Sequence, residues 1–123
     1  MRDETDDGRK ARDAAQRVIA VCDTVAELTR VGQDVFVNDT RSQWAVEMGL
    51  IRIGEGTNRI PANVLEQFAG QPWRSIVGMR NFAAHQYDDL DPRRVWRTAT
   101  QDVPALRNYL VDIVLPGLPG HDG

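Results

Sequence analysis

The chain has 123 residues and a mass of 13.8 kDa, room for one domain built on one core. Hydrophobic residues make up 41% and charged residues 27%, too apolar for wholesale disorder, and no apolar run reaches the roughly 20 residues that span a bilayer. The net charge of −3 argues against a chain that coats nucleic acid by bulk positive charge, and the lone cysteine, Cys22, excludes an internal disulfide or a cysteine-rich zinc site.

Residues 1–10 are mostly charged and read as a flexible, solvated lead-in that is too acidic for a signal peptide, so a cytoplasmic location is expected. From Ala11 to about Arg30, the residues Ala14, Val18, Val21, Cys22, Val25 and Leu28 recur at three- and four-residue steps. That spacing predicts one amphipathic helix with Cys22 as a buried structural thiol. Gly32 punctuates the chain. A second helix is predicted from about Asp34 to Ile53, with Val35, Asp39, Val46, Leu50 and Ile53 on one face and Trp44 on another, where a partner or the core would meet it. Gly54-Glu55-Gly56 lacks the strand and the third glycine of a dinucleotide fingerprint, so a helix end or a close helix–helix approach is expected there.

Ile60-Pro61 opens a short helix carrying Val64, Leu65 and Phe68 and ending at Gly70. Pro72-Trp73 opens the next, with Ile76, Val77 and Met79 as core candidates. Asp91-Pro92 supplies an N-cap and a first helical residue for the last stretch, which holds Val95, Trp96, Ala99, Leu106, Tyr109, Leu110 and Ile113. Pro104 must kink or split it, with Asp102 able to cap the second half. Strand-like alternation is absent. The reading is all-α: a domain over residues 11–115 and a fraying tail over residues 116–123, which contains His121.

Functional side chains concentrate in Arg80-Asn81-Phe82-Ala83-Ala84-His85-Gln86-Tyr87. An Arg fork can hold a phosphate oxygen, and an imidazole can move a proton near neutrality. On an ideal helix His85 would point about 140° away from Arg80, so one α-helix does not converge the set. Either the helix distorts, or two copies meet across a symmetric interface. Surface or capping contacts, such as Arg80 with Asp88 or Asp89, would be the bland use of the same residues.

Arg80-x4-His85-x-Tyr87 resembles the R-x4-H-x-Y signature of HepT-like members of the HEPN superfamily. The similarity continues through Phe36, Asp39, Ala45-Val46, Ile53-Gly54-Glu55, Pro72-Trp73-Arg74, Gly78-Met79, Val95-Trp96 and Asp102 to Leu106. Gln86 and Gly56 depart from the family's usual Gly and Ala. The resemblance implies an antiparallel bundle of four to five helices that forms a homodimer with one composite cleft. It implies a type VII toxin: a ribonuclease needing neither metal nor cofactor, with Arg80 on the phosphate and His85 as acid and base. Asn81 and Glu55 would support them, and an MntA-like nucleotidyltransferase antitoxin would silence the enzyme by placing AMP on Tyr87. Arg74, Arg93, Arg94 and Arg97 are the candidate RNA-binding residues. The competing reading is a non-catalytic, nucleotide-binding dimer that docks with such a nucleotidyltransferase.

Overall fold

In a computed structural model, residues 4–84 and 90–118 are described, and they are helical with turns between. Helix α1 spans Glu4–Leu28, and a 3-10 turn at Thr29–Val31 leads to Gly32. Gly32 has φ 89°, a left-handed conformation that suits glycine. Helices α2 (Gln33–Asn38) and α3 (Thr40–Asn58) follow, then the single turn α4 (Ala62–Leu65) and α5 (Trp73–Gly78). A 3-10 stretch, Met79–Ala84, extends α5. The last helical run consists of α6 (Pro92–Arg97), α7 (Val103–Tyr109) and α8 (Leu115–Gly117), joined by π turns at Thr98–Asp102 and Leu110–Val114.

The charged lead-in is helical from Glu4. Asp6 pairs with Arg9 at 2.8 Å and Lys10 at 3.6 Å, the i,i+3 and i,i+4 pairs that support a helix. Buried Asp7 accepts from Asn63 Nδ2 at 3.0 Å, which ties this first turn to α4. At the other end Leu118 is buried, so the tail begins inside the core.

The predicted second helix is two helices. Asp39 leaves the helical conformation at φ −122° and caps α3, accepting from Arg41 N at 3.3 Å and Ser42 Oγ at 2.6 Å. The break changes the phase of α2. Phe36 is buried against Trp96, with ring centroids 5.2 Å apart, while Val35 faces out at 51% exposure.

Helices α1 and α3 form the centre of the bundle. A Cβ on Gly49 would meet the Val25 side chain at 2.6 Å, and one on Gly56 would meet Val18 at 2.7 Å. As α3 rises from 49 to 56, α1 descends from 25 to 18, so the two helices run antiparallel in close contact. Val46, Leu50, Ile53 and Val18 fill the seam, each aliphatic side chain contributing about 1.5–3 kcal/mol by burial. Helix α7 joins α1 through Arg107 Nε to Asp23 at 3.1 Å.

The last helical run continues through Pro104 without leaving helical backbone conformation. Val103 N–H donates to Thr98 O and Leu115 N–H to Leu110 O, both five residues back, so each π turn ends two residues before a proline that could not complete an ordinary α turn. Asp102 makes no side-chain cap. The widened turns also move the inward positions: Val103 and Val114 are buried, and Ile113 is 47% exposed.

Candidate active site

The signature segment is positioned from two sides. Trp73 Nε1 donates to Phe68 O at 2.6 Å, and its ring meets Tyr109 edge-on at 6.0 Å. Tyr109 Oη in turn accepts from Gly70 N at 3.0 Å, which fastens the start of α5 to α7. From the other side, Gly54 admits the backbone of α5. A Cβ there would lie 2.5 Å from Arg80 N and 3.0 Å from the carbonyl oxygens of Ile76 and Val77. The glycine is thus a close-approach site within a continuing helix, as the second of the two sequence expectations had it.

In the 3-10 stretch side chains three apart eclipse one another. Met79 is buried and Phe82 half-buried, so this pair anchors the turn, and Arg80 and Asn81 are exposed on its outer sides. No ion pair or hydrogen bond joins either side chain to another described residue. The 3-10 geometry also means that α-helical angles do not apply from Arg80 to Ala84. His85, Gln86, Tyr87, Asp88 and Asp89 lie outside the described residues.

Glu55 is exposed and turns away from this segment. It lines a groove of about 370 Å³ between α1 and α3, together with Arg17, Arg52 and Arg59. The structure therefore does not bring Glu55 and Arg80 into one cleft of a single chain. The three arginines are a basic cluster that the sequence reading missed, and the seven-residue step from Arg52 to Arg59 was the available signal. Arg74 on α5 and Arg93, Arg94 and Arg97 on α6 are all exposed. Arg94 precedes Thr98 by one helical turn, and Thr98 lines a second cleft, of about 400 Å³, between the α5 segment and α7. Met79 and Phe82 lie in its wall.

Cys22 is buried, and desolvation pushes its thiol up to about 12, so it stays protonated and unreactive at neutral pH. Burial likewise raises the Glu47 carboxyl above its ordinary range. Among the described residues no group of three or more His, Cys, Asp or Glu is placed to hold a metal ion, and no helix is long and apolar enough to cross a membrane.

The described residues thus form a helical domain that holds the Arg80–Asn81 turn out to solvent against Gly54. Residues 9–113 match the family described as HepT-like ribonucleases, and the chain belongs to that family. It is 31% identical over 98 residues to "Putative RNase MJ1380" of Methanocaldococcus jannaschii, covering 79% of this chain and 89% of that protein. It is 30% identical over 100 residues to "Probable ribonuclease HepT" of Thermococcus cleftensis, covering 80% and 91%. No solved structure matches the chain significantly.

Proposed function

We propose that this protein is the toxin of a type VII toxin–antitoxin pair, a metal-independent endoribonuclease that acts as a homodimer. The observation that carries the reading is the outward Arg80–Asn81 turn, free of described partners and fixed against Gly54, in a chain of the HepT-like ribonuclease family. In the reaction, one His85 takes the proton from a ribose 2′-hydroxyl, and O2′ attacks the adjacent phosphorus. The bond from phosphorus to O5′ breaks, and a second His85, from the partner copy, protonates the departing oxygen. Arg80 neutralises the charge that builds on the non-bridging oxygens, and Asn81 orients them. The products are a 2′,3′-cyclic phosphate and a 5′-hydroxyl end. AMP placed on Tyr87, two residues from His85, would set bulk and a negative phosphate where the RNA phosphate enters.

The exposed face of α3 supports the dimer. Trp44, Met48, Ile51 and Glu55 recur at steps of four, three and four residues and form one stripe, with Trp44 64% and Met48 49% exposed. Gly54, and the Arg80 turn seated on it, lies about a quarter turn to one side. Two copies pairing their α3 stripes antiparallel about a two-fold axis would carry both Arg80 turns to the same side.

The test is cleavage of cellular RNA by the purified protein in EDTA, with Arg80→Ala and His85→Ala in parallel and end-group analysis of the products. Cyclic phosphate ends are expected, with each variant slower by about 10²–10⁴-fold. Intact RNA from a protein whose Tyr87 peptide carries no AMP would sink the nuclease reading. Stoichiometric binding of nucleotide would then identify a binding module.

A further inference from the structure

We infer that the cleft between the α5 segment and α7 is a base-recognition pocket that selects guanine beside the scissile phosphate. The inference rests on the ribonuclease reading and gives that site its sequence preference. The cleft, about 400 Å³, is within the size range of small-ligand sites. Ile76, Met79, Val103 and Leu106 give it an apolar lining, suited to the face of a flat ring.

Its position is set by the signature turn itself. Met79 and Phe82, the eclipsed pair in the wall, bracket Arg80 and Asn81, which flank the cleft outside. A phosphate held by Arg80 therefore has a neighbouring base at the cleft mouth. The charge pattern fits a nucleotide: Arg94 stands one turn before Thr98 on the opposite wall, where it can meet the next phosphate.

Asp102 chooses the base. Its exposed carboxylate lines the cleft and makes no cap hydrogen bond, so both oxygens are open to a ligand. Guanine offers N1–H and N2–H side by side, a donor pair that matches a carboxylate. Adenine and cytosine place a ring acceptor next to a single amino donor. Uracil flanks its one N–H with two carbonyl oxygens, which the carboxylate repels. An acidic residue would oppose RNA as a phosphate contact, yet it suits this edge of one base.

The test uses short single-stranded RNAs, identical but for the base beside the cut. Cleavage in EDTA is measured on the natural strands and binding on strands with one deoxyribose that blocks the cut. Guanine is expected to be favoured by about tenfold in both, the worth of one good bidentate contact. Asp102→Asn should abolish the preference for guanine in both measurements. Ala105→Trp, at an exposed residue of the same cleft, should weaken guanine-containing strands most. Cleavage with no base preference, or a preference untouched by Asp102→Asn, would overturn the pocket and leave the nuclease reading standing. Guanine-selective binding without any cleavage would do the reverse.

Discussion

Gly54 shows how one missing methyl group can matter to a site it does not touch. The atoms nearest to a Cβ at that position are backbone atoms of Ile76, Val77 and Arg80, which cannot rotate aside as a side-chain tip would. Gly54→Ala is therefore expected to destabilise by about 1–3 kcal/mol as an overpacked contact. It should also displace the Arg80 main chain and slow RNA cleavage by about 10²-fold under conditions where the protein is still folded. Gly78 is the control, because nothing lies within 4 Å of its Cβ position. Gly78→Ala should stabilise by about 0.5–1 kcal/mol, the cost of glycine in a helix, and leave cleavage unchanged. Urea unfolding and initial cleavage rates on the two variants decide the matter.

At the scale of elements, caps and π turns set where helices break and which faces they bury. The hydrogen bond from Ser42 Oγ, and then the Arg41 backbone amide, hold the Asp39 carboxyl below its ordinary value of 3.8. The folded protein thus binds this proton less readily than the unfolded chain. The contribution is fully present above the unfolded value and is lost as pH falls through the lowered folded value. The stability gap between the parent and Asp39→Ala should accordingly be constant near neutrality and close below about pH 4. Asp39→Ser, which keeps an oxygen at the cap, should retain part of the gap at neutral pH without the acid dependence. Urea midpoints across the acid range would show both effects. A gap that persisted unchanged into strong acid would remove the charged cap from the account.

For the whole molecule the outstanding surface is the α3 stripe. Trp44 and Met48 expose apolar area that a lone small domain gains nothing from showing to water. Trp44→Asp with Met48→Asp should leave helix content intact, since neither side chain is in the core, and should convert a dimer to monomers in light scattering. Cleavage should fall with it if the cleft is composite. Mixing Arg80→Ala with His85→Ala chains is the complementary experiment. Partial recovery of activity is expected, because the composite cleft of a heterodimer would regain an Arg from one copy and a His from the other, where each homodimer of variants lacks one of the two altogether. Proven heterodimers without recovery would place Arg and His in one half-site.

The all-α class, the proline-led starts of α4, α5 and α6 and the buried Cys22 were legible in the chain, because each rests on local spacing or local capping chemistry. Membership of the HepT-like ribonuclease family was legible for a related reason: signature and flanks are linear patterns. The sequence alone did not show that Asp39 would divide a helix and turn Phe36 inward in place of Val35. Periodicity there fits one helix, and the choice was made by the Trp96 ring that Phe36 meets. Nor did it show the helical start at residues 4–10, where Asn63 reaches Asp7 from 56 positions away. The phase shifts that bury Val103 and Val114 arise from π turns ahead of Pro104 and Pro116, and those depend on the rest of the bundle holding the helix in line. Local chemistry determined most of the elements. Which residues share a cleft, with Met79 beside Asp102 and Glu55 among Arg17, Arg52 and Arg59, was decided by long-range packing that no spacing rule encodes.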